Sequence, residues 1–394
     1  MDDRDLKVGI LTSFYPEIHG GAEVSLGVLL DGLSKLSIDP IVFTPSRRTS
    51  NSNSRIVKIG HLGRTPKIVR LSGFPGLNSI MARSISKSLK EHRIDLLHVS
   101  DTYALRAAAR VVKQLKIPLV LSFHNNLNVP NASYSIPFPL SSWLDSRDKG
   151  VLEAARECSF TIATSNYVAQ RLIEAGLSPA LVKPIYIGGA ISLRGKPARP
   201  SEHSTMRVLC VGTMQYHKGF QNVAIAAKKL REDSVPVEVV FVGVGPYLRR
   251  LRSLVARLGL GDRIRLAGHI NWEELERLYD WCDMVVVPTI TPEPFGRVAV
   301  EAMSRGRAVI GTKAGGLTEI IDDGATGFLV PPGDPSAIAE RILTFRNQSH
   351  LLTEMGERAL QKCRVVFDQR MIASQVLDVY RSLAPNSREA IAKT

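Results

Sequence analysis

Short runs of β-branched and apolar residues recur along the whole chain, without the apolar–polar alternation of a strand that has one wet face. In the first half they are Val8–Leu11, Ile41–Phe43, Asp95–Val99, Leu119–Phe123, Phe160–Ala163 and Val182–Tyr186. In the second they are Val208–Val211, Val237–Val242, Ile264–Ala267, Met284–Val287, Ala308–Ile310 and Phe328–Val330. Stretches of helical periodicity lie between them, among them Val24–Leu36, Gln221–Leu230, Tyr247–Leu258 and Asp334–Phe345. Asn271 and Glu274 have the spacing of a capping box at the start of another. A strand that is apolar at every position must be covered on both faces. In an alternating strand–helix chain that means a parallel sheet between helix layers. The pattern runs twice, and Gly188–Ser204, rich in glycine, proline, basic and small polar residues, separates the runs. The expected fold is α/β: two doubly wound, Rossmann-like parallel-sheet domains at 1–190 and 206–375, joined by a linker at 191–205 and facing across a cleft. Ligands of such folds bind beyond the carboxyl ends of the strands, so a site drawn from both halves is expected.

Composition narrows the class. Apolar residues make up 44% of the 394 and charged residues 22%, as in ordinary globular proteins. No window approaches the roughly 18 consecutive apolar residues of a membrane-spanning helix. The start, Met1-Asp2-Asp3-Arg4-Asp5, is acidic where a signal peptide is basic, so a cytoplasmic protein is expected. Cys158, Cys210, Cys282 and Cys363 are too scattered for a disulfide frame or a zinc site. Charge is uneven: residues 1–200 carry a net +11 and residues 201–394 only +3. The basic half points to an anionic partner.

Three stretches carry chemistry. Gly20-Gly21 sits between the first strand and the first helix, where paired glycines let backbone amides approach a phosphate at a helix start; tight strand–helix turns use such pairs for steric reasons too. Lys218 follows the first strand of the second half within Gly212-Thr213-Met214-Gln215-Tyr216-His217-Lys218-Gly219 and suits either a diphosphate or open solvent. The third stretch is Pro292-Glu293-Pro294-Phe295-Gly296-Arg297-Val298-Ala299-Val300-Glu301. Pro294 disfavours helix at Glu293, and Gly296 permits a tight entry into a helix whose first amides, at Phe295, Gly296 and Arg297, face an anion. The flanking carboxylates of Glu293 and Glu301 accept hydrogen bonds only, and sugar hydroxyls donate them.

Together these stretches, with Gly315-Gly316-Leu317-Thr318-Glu319 and Asp323-Gly324-Ala325-Thr326-Gly327-Phe328, resemble the retaining glycosyltransferases of family 4, which have the GT-B fold. The resemblance runs over nearly the whole chain and rests on the Gly-Gly turn, Lys218-Gly219 and the Glu-x7-Glu pattern of Glu293 and Glu301. It implies transfer of a hexose from a UDP- or GDP-sugar to an acceptor hydroxyl, with retention by a front-face route. The acceptor would be a lipid, a lipid-linked molecule or a polysaccharide precursor. The resemblance implies neither metal nor cofactor beyond the nucleotide sugar, in keeping with the lack of a DxD pair near the site. It also implies a C-terminal helix at 376–394 packing back toward the first domain. By this resemblance Gly20 and Gly21 lie near the diphosphate and the sugar, and His124, in Ser122-Phe123-His124-Asn125, sits beside the reacting sugar. Lys218 holds the diphosphate and stabilises the leaving group, and Glu293 binds sugar hydroxyls. Phe295 and Gly296 give backbone contacts, Glu301 holds the ribose, and His269 and Ile270 flank the base. The family commonly has arginine where this chain has Thr213, and Arg297 is a candidate substitute. Its Asn-Gly-x-Asp before the linker is here Gly188-Gly189-Ala190-Ile191.

The basic half has its own pattern. From Arg55 to Arg93 there are nine basic residues against one acidic, Glu91. A helix over Asn78–His92 places Met81, Ile85 and Leu89 on one face and Arg83, Lys87 and Lys90 on the other. That basic face is either solvated or set against an anionic membrane, the latter making the protein peripheral at the inner face of a membrane. The Val129–Leu144 loop, with Tyr134, Phe138 and Trp143, suits an acceptor site or a lid. Nucleic-acid binding calls for aromatics interleaved with the cations, and none is evident, so no nucleic-acid partner is expected. A nucleotide-sugar epimerase, a basic nucleic-acid-binding protein and a donor-binding protein without activity are the alternatives.

Overall fold

The computed structural model describes residues 6–13, 21–45, 55–59, 75–125, 149–187 and 205–384. These divide into two units. The first has a seven-stranded parallel sheet of β1 (Val8–Leu11), β2 (Ile41–Thr44), β3 (Arg55–Lys58), β4 (Leu96–Val99), β5 (Leu119–Phe123), β6 (Phe160–Ala163) and β7 (Val182–Pro184). Its spatial order is β3-β2-β1-β4-β5-β6-β7. Its helices include α1 (Gly21–Ser34), α2 (Pro75–His92), α3 (Leu105–Leu115) and α4 (Asn166–Glu174). The second unit has a six-stranded parallel sheet, ordered β10-β9-β8-β11-β12-β13. Its strands are β8 (Met206–Val211), β9 (Val237–Val242), β10 (Ile264–Gly268), β11 (Met284–Val287), β12 (Ala308–Thr312) and β13 (Gly327–Val330). Among its helices are α5 (Phe220–Glu232), α6 (Leu248–Arg257), α7 (Trp272–Trp281), α8 (Arg297–Ser304), α9 (Leu317–Ile320), α10 (Pro335–Asn347) and α11 (His350–Val366).

The unalternated strands have the burial they imply: β1, β4, β5, β11 and β12 are buried at every residue. In the first unit Leu97, Val99, Leu121 and Phe123 enter one core with Met81, Ile85 and Leu89 of α2 and Ala108 and Val111 of α3. Leu96, Val120 and Ile162 enter the other, under α1. The capping box forms as spaced: Asn271 Oδ1 accepts from the Glu274 amide at 2.9 Å, and Glu274 accepts from the Asn271 amide at 3.2 Å.

The structure departs from the sequence reading at the edges. Strand β3 went unread because Arg-Ile-Val-Lys offers only two apolar residues; it is an edge strand, where charge is tolerated and useful. At the other edge β7 ends at Pro184. The boundary at 375 also moves: α12 (Gln369–Leu383) belongs as a whole to the first unit. Its first residue is already tied to α1, Gln369 Nε2 donating to the Val28 carbonyl at 2.7 Å and Lys35 Nζ donating to Gln369 Oε1 at 2.9 Å. Ile372, Ala373, Val376 and Tyr380 are buried against the sheet.

Tyr380 completes a buried polar cluster. His98 of β4 has Nδ1 at 2.5 Å from the Tyr380 hydroxyl and Nε2 at 2.6 Å from Ser122 Oγ. A neutral imidazole donates at one nitrogen and accepts at the other, and each hydroxyl can supply the complement. Burial, with a smaller contribution from His124, lowers the His98 pKa from 6.5 to about 3. Across about pH 4 to 6.5 the unfolded chain therefore binds a proton that the fold rejects. Stability rises with pH through that window, by up to about 1.4 kcal/mol per pH unit from this residue. Replacing it, His98→Gln, is expected to flatten the pH dependence of urea-unfolding stability by that share; an unchanged slope would show that His98 is not the titrating group.

Candidate functional site

In a doubly wound sheet the two strands between which the order reverses send their following loops apart, opening a crevice. In the second unit these strands are β8 and β11. The loop after β8 carries Lys218, the loop after β11 carries Glu293, and the two side chains meet. Lys218 Nζ donates to Glu293 Oε1 at 2.9 Å and Oε2 at 2.7 Å. The lysine side chain is 27% exposed and the glutamate 18%, so the pair is open to exchange with a polar ligand.

Backbone contacts hold the loops at this separation. The Ile290 amide donates to the His217 carbonyl at 2.7 Å, and Thr289 Oγ1 donates to the same carbonyl at 3.2 Å. Gly219, at φ +75°, packs so closely on the next loop that a Cβ would lie 1.8 Å from the Pro288 carbonyl oxygen. The loop after β12 clamps Glu293 from its other side: the Gly316 amide donates to the Glu293 carbonyl at 2.7 Å, and the Glu293 amide donates to Ala314 at 3.3 Å. Gly315, at φ +62°, leaves room there, since a Cβ would come within 2.4 Å of the Glu293 carbonyl oxygen.

Helix α8 begins four residues beyond Glu293, with Gly296 at φ +107° as its N-cap. The Ala299 amide is the first to bond Gly296, which leaves the Arg297 and Val298 amides outside the helix's own ladder at its positive end. Glu301 is buried at 4% exposure. Its Oε2 accepts from the Tyr279 hydroxyl at 2.8 Å, and its Oε1 lies 2.6 Å from Arg297 Nη1. Arg297, expected as a substitute phosphate cation, thus has its guanidinium on Glu301, one turn along the same helix. Tyr279, fully buried on α7, was missed by the sequence reading, because no local pattern links it to a residue 22 positions on. Arg307 Nε, donating to the Tyr279 carbonyl at 2.7 Å, braces it. Burial and the neighbouring carboxylate push the Tyr279 hydroxyl well above its ordinary pKa, so it acts as a donor throughout the physiological range.

In the first unit the order reverses between β1 and β4. Here Asp101, just beyond β4, spans the reversal: Ser13 donates to it from its amide at 2.6 Å and from Oγ at 2.9 Å. The Tyr103 amide adds a third bond at 2.9 Å. Burial raises the Asp101 pKa, and these bonds offset only part of that rise. His124 follows β5, and desolvation lowers its pKa from 6.5 to about 4, so it is neutral near pH 7. The adjacent Asn125 Nδ2 donates to Thr102 Oγ1 at 3.2 Å. Gly21 opens α1 and its carbonyl accepts from Ser25 Oγ at 2.8 Å; Gly20 and the loop 129–144 lie outside the described residues.

The structure thus joins Lys218 to Glu293 and Arg297 to Glu301. Thr213 is exposed after β8, while Phe295 is buried, its ring edge-on to Phe367 at 6.0 Å. His269 is exposed and Ile270 half-buried in the short turn between β10, an outer strand, and α7. Arg83, Lys87 and Lys90 are exposed on α2.

Two parallel-sheet units with these crevices define the GT-B class of fold, and solved structures agree. Anabaena Alr3699/HepE in complex with UDP-glucose is similar with a TM-score of 0.77 at 23% identity, covering 96% of this chain and 100% of that one. Sucrose-phosphate synthase from Thermosynechococcus elongatus is similar with a TM-score of 0.78 at 22% identity, covering 96% and 99%. Residues 19–188 match the Glycosyltransferase Family 4 model and residues 196–362 the Glycosyl transferases group 1 model. The chain belongs to the family 4, group 1 glycosyltransferases. Relatives include the sulfoquinovosyl transferase SQD2 of Arabidopsis thaliana, 25% identical over 78% of this chain and 60% of that one. The putative colanic acid biosynthesis glycosyltransferase WcaL of Escherichia coli is 28% identical over 48% and 46%. D-inositol 3-phosphate glycosyltransferase 1 of Catenulispora acidiphila is 29% identical over 75% and 73%. The match thus spans only about half the length of the first two.

Two substitutions test the architecture. Gly219→Ala forces the two loops apart and is expected to lower stability by at least about 1–2 kcal/mol, the left-handed backbone cost alone, as read by chemical denaturation. Tyr279→Phe removes a hydrogen bond to a buried carboxylate and is expected to cost about 1.5–3 kcal/mol. A near-neutral result for Tyr279→Phe would mean that Arg297 alone holds Glu301.

Proposed function

We propose that this protein is a retaining, metal-independent hexosyltransferase that moves a sugar from a UDP- or GDP-sugar to a hydroxyl of an acceptor, a lipid, a lipid-linked molecule or a polysaccharide precursor. The observation that carries the proposal is the Lys218–Glu293 pair at the strand-order reversal, two side chains with complementary chemistry for the two ends of a sugar–diphosphate bond. Breaking that bond leaves negative charge on the phosphate and positive character on the sugar. Lys218 answers the first, with the free amides of the α8 start, and Glu293 accepts hydrogen bonds from sugar hydroxyls. Donor binding on this reading exchanges the internal pair: the ammonium transfers to phosphate and the carboxylate to sugar, so neither half-buried charge is left alone.

The remaining roles follow the family pattern. Glu301 is assigned the ribose hydroxyls, and its contacts to Tyr279 and Arg297 orient it. His269 and Ile270 are assigned the base, Phe295 and Gly296 backbone contacts to the donor, and Thr213 the edge of the phosphate site. In the first unit, His124 and the Gly20–Gly21 turn are the residues proposed to meet the transferred sugar. His124 is a neutral hydrogen-bonding group in this role, given its lowered pKa. A departing phosphate oxygen takes the acceptor proton. The names of the relatives support sugar transfer as the chemistry, and the Anabaena protein crystallised with UDP-glucose supports a UDP-sugar as the first donor to try.

Thermal-shift titration with UDP, GDP and ADP in chelator-treated buffer tests the proposal. One nucleotide is expected to raise the melting temperature as its concentration passes its Kd. Lys218→Ala is expected to shrink that shift and lower kcat about 100- to 1,000-fold, the usual cost of removing one charge-stabilising donor. No response to any nucleotide would overturn the donor-site assignment.

A further inference from the structure

Helices α2 and α3 lie side by side over one face of the first sheet, sharing a core. Their outward faces carry the same cation spacing. Arg83, Lys87 and Lys90 on α2 and Arg106, Arg110 and Lys113 on α3 each fall at i, i+4 and i+7, and all six are exposed. A groove of about 490 Å³ runs between the two helices, with Arg83, Lys87, Lys90 and Arg110 among its lining residues and no carboxylate among the described ones. Among the described residues, Glu91 stands 3.8 Å from Lys87, and Glu153 and Glu157 share the neighbouring cleft beyond α3 with Arg106, Arg110 and Lys113. Ile80, one turn ahead of Arg83 on α2, is 50% exposed beside the cations.

We propose that this two-helix face docks the first unit on a bilayer rich in anionic phospholipid, with lipid phosphates in the α2–α3 groove and Ile80 entering the headgroup boundary. Rows of cations with an exposed aliphatic side chain at the end of one of them match the charge and polarity of that boundary. A single-stranded nucleic acid would be met by stacking aromatics, and none of the described residues lining the groove is aromatic. The face includes none of the residues assigned to sugar transfer, so its failure and the failure of the transfer reading are separable.

The test is co-sedimentation of the full chain with vesicles of phosphatidylcholine alone, or with about one third phosphatidylglycerol. Binding is expected only to the mixed vesicles and is expected to weaken steeply as salt rises to about 0.5 M. Lys87→Gln and Arg110→Gln are each expected to weaken it about fivefold. A double variant on α6 in the second unit, Arg249→Gln with Arg252→Gln, removes as much charge from exposed positions as both face substitutions together and is expected to leave binding unchanged. Equal binding to neutral vesicles, an equal loss in the α6 variant, or tighter binding of a single-stranded RNA than of the mixed vesicles would each overturn the proposal.

Discussion

The contact of Gly219 with the Pro288 carbonyl sets the geometry of the second unit's crevice. The sheet order reverses between strands β8 and β11, which sends their following loops apart, and at Gly219 the two loops nevertheless come into backbone contact. A side chain at 219 would hold the loops apart. With glycine there, the backbone of one loop bonds the other at His217, and Lys218 comes within hydrogen-bond distance of Glu293. The third loop then closes on Glu293 through Ala314 and Gly316, so the carboxylate is fixed by backbone on one side and by an ammonium on the other.

The two units solve the same problem with different chemistry. In the first, Asp101 crosses the reversal to Ser13 through backbone and hydroxyl donors, a connection built to stay in place. In the second, the crossing is an ion pair between partly exposed side chains, which a ligand carrying both anionic and hydroxyl groups can take apart. Behind the latter, the buried Tyr279–Glu301–Arg297 cluster is an even tighter arrangement, with one carboxylate shared between a phenol and a guanidinium. The first unit gains rigidity from its own buried cluster, His98 with Ser122 and Tyr380. That cluster ties α12 to β4 and β5 of the sheet.

Much of this was legible in the residues. The unalternated strands announced buried parallel sheets, the repeat of the pattern announced two of them, and the Asn271–Glu274 spacing announced a capped helix. Strand β3 escaped because an edge strand needs little apolar surface, and Arg55–Lys58 has little. The start of α12 escaped because the helical pattern does not say which sheet it covers; only Gln369 bonding Val28 does. Lys218, Glu293 and Glu301 stood out by motif. Asp101 and Tyr279 did not, since each is defined by partners far away in the chain.

The sequence by itself determined the fold class, the two-domain division and the polar side chains at the strand ends, because periodicity and local turn chemistry are properties of neighbouring residues. Only the tertiary structure decided which of those side chains meet. Lys218 reaches Glu293 across 75 residues and Tyr279 reaches Glu301 across 22. It also gave α2 a second basic helix at its side. Pairings of this kind come from strand order and helix packing, which close the distance between segments that no local pattern connects.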